Sequence, residues 1–208
     1  MLTPKNLGVF FYSTCSLKDH VANVCRSINF NLYSIGKIRK YLDRPTVEKL
    51  VNATITSRLD YCNSLMFGIP KELISQLQRR QNHAARVITK WRKYDHITPV
   101  LVDLHWLPVK QRIDFKILLL TYKALNGLAP AYMRELLVPY SPKRTLRSTE
   151  NHLLTPQRCR LEYFGKRSFA AAAPTLWNSL PLYIKQSPSV DIFKSRIKTH
   201  LFQLAYFM

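Results

Sequence analysis

Apolar residues recur at three- and four-residue intervals through most of this chain, the spacing that lines one face of an α-helix. Ser16, with Asp19 three residues on, marks a helix start, and Val21, Val24, Ile28, Leu32, Ile35 and Leu42 form the first stripe. "DRP" at 43–45 breaks it, and Pro45 opens a second helix expected to reach about Phe67. Pro70 opens a third, "KELISQLQRRQNHAARVITKW", whose Leu73, Leu77, Ala84, Ile88 and Trp91 share a narrow arc. A fourth runs from Pro108 to Gly127, and a short one lies in "APAYMRELL". The last occupies "SPSVDIFKSRIKTHLFQLAY", with Ile192, Phe193, Ile197, His200, Leu201 and Leu204 on one side. Near the start, "NLGVFFYST" alternates with period two and reads as a short strand, apolar on both faces.

The polar positions are patterned too. On the third helix Ser75, Arg79, Asn82, Arg86, Lys90 and Lys93 lie opposite the apolar arc, with no acid among them to pair at i, i+4 spacing. The fourth helix has two apolar stripes: Val109, Ile113, Ile117, Leu120 and Ala124, then Phe115, Leu118, Tyr122 and Leu125. Two stripes mean packing around most of the circumference. Arg112, Lys116 and Lys123 occupy the strip that is left, with Leu119, and their stems can cover apolar surface while the charges reach water. This is a central helix with one basic edge.

Past Pro139 the pattern loosens. "SPKRTLRSTENHLLTPQRCRLEYFGKR" carries Arg144, Arg147, Arg158 and Arg160 among turn residues and reads as loop with a small hairpin. "SFAAAAPTLWNSLP" sets small residues beside Trp177, a composition suited to close packing on another element.

Composition turns these faces into a hypothesis about partners. The 208 residues hold 32 Lys and Arg against 12 Asp and Glu, a formal charge of +20, while 47% are hydrophobic. The chain can bury a core, but its self-repulsion calls for a polyanion or counterions. Nucleic acid is the leading partner, ahead of an anionic membrane surface. Aromatics beside cations, as in Trp91–Arg92, Lys93–Tyr94 and Tyr163 and Phe164 before Lys166, add groups able to stack on bases. No run of eighteen apolar residues spans a bilayer. The start lacks the form of a secretory signal, and the four cysteines are widely separated. An intracellular protein, nuclear or cytoplasmic, with reduced thiols is expected.

Catalytic constellations are absent from the sequence. Two-metal chemistry needs clustered carboxylates, and here no two acids are adjacent. His96 and His105 flank "HITPVLVDLH" without a two-His helix motif, Asp95 reads as a helix cap, and no Gly-rich phosphate loop occurs. No catalytic residue, metal site or cofactor is assigned.

Three stretches carry a family resemblance: "SRLDYCNSLMFGIPKELISQLQRRQNHAARVIT", "DHITPVLVDLHWLPVKQRIDFKILLLTYKALNGLAPAYMRELL" and "RSFAAAAPTLWNSLPLYIKQSPSVDIFKSRIKTHLF". In this order they resemble the C-terminal part of a non-LTR (LINE-type, jockey-like or chicken-repeat-like) retrotransposon reverse transcriptase. On that resemblance "NLGVFFYST" matches the last palm strand near the primer grip, although Tyr12 stands where the family commonly has Asp. The helices from Ser16 to Leu137 match the thumb and the region C-terminal to it. The resemblance implies that the polymerase carboxylates and their aromatic-Ala-Asp-Asp motif lie upstream of Met1, as 5′ truncation of such an element would leave them. No Asp-Asp pair and no zinc knuckle occur here. A thumb clamps template–primer backbone, which requires buried apolar helices and cationic edges together.

The expected architecture is therefore mainly α: residues 1–14 a remnant of a palm strand, 15–138 a thumb-like helical bundle, and 139–208 a basic, loop-rich region ending in a helix. The expected role is a non-catalytic reverse-transcriptase remnant that binds RNA or an RNA–DNA duplex without sequence preference. Its candidate contacts are Arg79, Arg86, Lys90, Lys93, Arg112, Lys116, Lys123, Arg144, Arg147, Arg158 and Arg160. Two alternatives stay open: a helical module for acidic protein partners, and an open reading frame without function.

Overall fold

Helix α1 (Lys18–Ile38) runs along the bundle and buries Val21, Val24, Ile28, Leu32 and Ile35, the stripe read from the sequence. The computed structural model describes residues 5–10, 16–141 and 152–207, and these are mainly helical. A 3₁₀ turn over Arg39–Tyr41 ends α1, so Leu42 leaves the stripe in extended backbone and is only half-buried. The Asp43 carboxylate accepts from the Thr46 N–H at 3.1 Å and caps α2 (Arg44–Val51), with Pro45 in its first turn. Through a π turn at Asn52–Thr56, α2 continues into α3 (Ser57–Asp60). The expected helix to Phe67 stops short: Tyr61 is extended and Cys62 left-handed (φ 50), and a 3₁₀ turn comes next at Asn63–Met66.

Helix α4 (Lys71–Thr89) packs on α1 and buries Leu73, Leu77, Ala84 and Ile88. It ends because Lys90 adopts φ 57, the left-handed position that usually belongs to glycine. Trp91 is thereby thrown out of the arc and is 42% exposed, contrary to its expected place in the core. Two carbonyls of the last α4 turn are satisfied from a distance. The Arg39 guanidinium donates to Val87 O at 2.8 Å and Ile88 O at 2.7 Å. Helix α5 (Thr98–Asp103) has no side-chain cap, so Asp95 does not play the capping role expected of it.

Helix α6 (Val109–Leu125) is central. It packs against α4, the 63–66 turn and, beyond α7 (Ala131–Glu135) and α8 (Glu162–Gly165), against α9 (Phe169–Asn178) and α11 (Val190–Tyr206). Val109, Ile113, Ile117, Leu118, Tyr122 and Ala124 are buried, while Leu120 stays half-buried in a groove with Met133. The alanines 170–173 bring α9 close to α6. From α11, Phe193 stacks on Tyr122 at 4.2 Å and on Trp177 at 6.1 Å between centroids. Ile197 and Leu201 also point inward, but Ile192 and Leu204, expected on that side, are exposed. The α9–α11 region, with the short α10 (Leu182–Lys185), shares one hydrophobic core with α1–α6.

The termini of the described segments are pinned by backbone pairing. Lys5–Asn6 (β1) and Val9–Phe10 (β2) form a tiny antiparallel hairpin across Leu7 and Gly8, both at positive φ. This turn replaces the single strand read from residue 6 onward, and Phe11–Cys15 lie outside the described residues. Residues 138–140 and 153–155 also pair: Tyr140 N–H donates to Leu153 O, and Thr155 N–H to Val138 O. The second of these segments falls within the basic stretch read as holding a small hairpin, while the first precedes that stretch. The Asn178 amide extends the pairing by exchanging two hydrogen bonds with the Leu154 backbone.

Candidate nucleic-acid interface

The cations picked out by periodicity divide into those engaged in holding the fold and those left for solvent. Arg112 belongs to the first group. Its Nη1 contacts both Asp60 carboxylate oxygens at 3.0 and 2.8 Å, and its Nε donates to Leu107 O at 3.0 Å. Its side chain is 15% exposed, so it is a bracing group beneath the surface and not part of an open basic edge. Arg86 is engaged as well. It donates to the carbonyls of Arg92 at 3.3 Å and Asp95 at 3.2 Å, folding the 90–95 loop against α4. Arg79, Lys90 and Lys93 are exposed, and the Lys93 ammonium lies 5.4 Å from the centre of the Tyr94 ring. Lys116 and Lys123 are half-exposed on α6. Arg158 and Arg160 are exposed, whereas Arg144 and Arg147 lie outside the described residues.

The bundle adds a surface beyond the cations expected from the sequence. On α1, directly opposite the buried stripe, Arg26, Phe30, Tyr33 and Lys37 succeed one another at helical spacing. Phe30 is 71% and Tyr33 64% exposed, unusual for rings on a helix that has a core to fill. The Lys37 ammonium stands 4.4 Å from the Tyr33 ring centre, and Lys40 stands 4.7 Å from that of Tyr41. The signal is present in the sequence as a second periodic stripe, interleaved with the apolar one.

Alongside, α1 and α4 enclose a groove of about 440 Å³ lined by Asn29, Leu32, Tyr33, Gly36, Lys37, His83 and Val87. Burial lowers the pKa of His83, and the positive charges of Arg86 and Arg80 lower it further. The thiol of Cys25, raised first by burial, feels the opposing charges of Arg80 and Arg79. No carboxylate lines this groove, and its one Lys or Arg is Lys37 of the α1 stripe. Such a face supplies charge for phosphates and rings for bases.

Among the described residues no three His, Cys, Asp or Glu side chains come together as a metal site. No helix among them is long and apolar enough to cross a membrane. No protein-family model, curated protein or solved structure matches the chain.

Proposed function

We propose that this chain is a thumb-like unit of the non-LTR reverse-transcriptase type, which grips RNA or an RNA–DNA duplex along its backbone without catalysing a reaction. The observation that carries this reading is the outer stripe of α1, where Arg26 and Lys37 bracket the exposed rings of Phe30 and Tyr33 beside the α1–α4 groove. Solvated helix faces normally mix acids with bases and keep aromatic rings inside. A face of cations and rings answers to phosphates and bases instead, and a net charge of +20 supplies long-range attraction to any polyanion. The sequence resemblance to the thumb region and the helical architecture support the same assignment.

Fluorescence anisotropy with labelled single-stranded RNA, an RNA–DNA duplex and an acidic peptide, each over a salt series, tests it. Both nucleic acids should bind with little dependence on sequence and with affinity that falls steeply as salt rises. Preference for the acidic peptide at matched charge would favour a protein partner and overturn the proposal.

A further inference from the structure

A second cavity, of about 450 Å³, opens between α6, α11 and the 104–107 loop, and it shares no lining residue with the α1–α4 groove. Its walls combine Trp106, Phe115, Leu104 and Leu107 with Arg112, Lys116 and Lys198, against the single carboxylate of Asp60. That volume falls in the range of small-molecule sites.

One of the polar groups, Arg112, is held in place before any ligand arrives. Arg112 is fixed by Asp60 and by Leu107 O through Nη1 and Nε, which leaves its Nη2 with no hydrogen-bond partner among the described residues. Lys116 and Lys198 come from two different helices, and neither is paired with a carboxylate among the described residues. Asn63, 3% exposed, lines the cavity, and its Oδ1 has no partner among the described residues.

The loop that forms the aromatic wall is both strained and braced. His105 sits at φ 53, a left-handed conformation unfavourable for a side chain of that size, and its ring stacks on Phe202 at 5.9 Å. Four bonds maintain this shape. Trp106 N–H donates to Leu101 O at 2.9 Å, Tyr206 Oη donates to Trp106 O at 2.6 Å, and Gln81 Nε2 and Arg112 Nε both donate to Leu107 O. Backbone strain maintained by so many restraints concentrates at binding sites.

From this arrangement we infer that the cavity binds a nucleotide 5′-monophosphate group, its phosphate between Lys116, Lys198 and the free edge of Arg112 and its base against Trp106 and Phe115. Three cations offset by one carboxylate suit a phosphate dianion, and a planar ring suits the aromatic wall. Two sources share this chemistry: a free mononucleotide, or the 5′-phosphorylated terminal nucleotide of a strand. The site does not depend on the α1–α4 face.

Calorimetric titration of the full chain with AMP, adenosine and inorganic phosphate tests the inference. Oligonucleotides of one sequence, with and without a 5′-phosphate, are compared in parallel. AMP should bind saturably with Kd below about 1 mM, and adenosine at least about tenfold more weakly. Lys116→Gln with Lys198→Gln should weaken AMP about tenfold or more, because both lysines leave the fold's hydrogen bonds untouched. A melting curve checks that this variant stays folded. Arg26→Gln with Lys37→Gln should leave AMP binding unchanged, so that failure of the α1 face and failure of this cavity are told apart. If the 5′-phosphate on the oligonucleotide strengthens binding and the gain vanishes in the lysine variant while AMP alone does not bind, the strand end is the source. Equal affinity for AMP and adenosine, or full AMP affinity in the lysine variant, overturns the assignment. So does the absence of both saturable AMP binding and any 5′-phosphate effect.

Discussion

Arg112 and Asp60 meet across 52 residues of sequence, with the guanidinium Nη1 3.0 and 2.8 Å from the two carboxylate oxygens. The pair ties α6 to the end of α3, and the Arg112 Nε bond to Leu107 O ties the same side chain to the loop ahead of α6. Arg112→Gln leaves a half-buried carboxylate and a backbone carbonyl short of donors. It should lower stability by about 1–3 kcal/mol in chemical unfolding. With RNA that lacks a 5′-phosphate it should leave the salt dependence of binding as it was. A flattened salt slope with unchanged stability would return Arg112 to the set that contacts the phosphate backbone.

The α1 and α4 cations should behave in the reverse way. Arg26, Lys37 and Arg79 are exposed, so changing all three to Gln should cost little stability. The slope of log affinity against log salt should flatten by roughly 0.7–0.9 per phosphate contact removed. A control at exposed Lys49, Arg58 and Lys71 carries the same charge change on other surfaces. Equal losses in the two variants would mean a diffuse positive field and no localised face.

Stacking has its own signature. Phe30→Ala with Tyr33→Ala removes two solvent-facing rings, so the melting temperature should hardly move. Affinity for single-stranded RNA should drop by about 1–3 kcal/mol per stacked base, with the salt slope preserved. An unchanged affinity would assign these rings to some other contact.

The protein should also reveal one buried acid through pH. Burial raises the Asp114 carboxyl to about 6, with the Lys110 charge partly opposing. Because the folded-state pKa lies above the unfolded one, the proton's contribution is complete below about pH 4. It is lost as pH rises through about 6. At pH 7.5 the ionised group costs about 3 kcal/mol. Asp114→Asn should therefore raise the melting temperature at pH 7.5, and the gain should fade toward pH 4. The buried His20, whose pKa burial lowers, contributes with the opposite sign: its stability is present above about 6.5 and lost as pH falls. Both proteins retain His20, so it cancels in the comparison. A pH-independent gain would point to packing and not to titration.

Local order determined much of this molecule. The spacing of Val21 to Ile35 and of Leu73 to Ile88 was sufficient to place two buried helix faces, because a regular helix converts sequence period directly into direction. Pro45 marked a helix start for an equally local reason, as its ring presets the backbone of the first turn; the Asp43 cap bond, found in the structure, spans only three residues. Periodicity could also have exposed the Arg26–Lys37 stripe, which needs nothing beyond one helix. What α6 and α4 do with their cations was another matter. Arg112 and Arg86 occupy polar faces just as Lys116 and Arg79 do, yet the first meets Asp60 and the second meets backbone carbonyls of a returning loop. Period tells which way a side chain points, but the group waiting there comes from a distant segment. Trp91 lies on the arc and outside the core for a related reason: one left-handed residue, Lys90, ends the helix that defined the arc. The cavity of Trp106, Lys116 and Lys198 was beyond any local pattern, since its walls come from α3, the 63–66 turn, the 104–107 loop, α6 and α11, which only tertiary packing brings together.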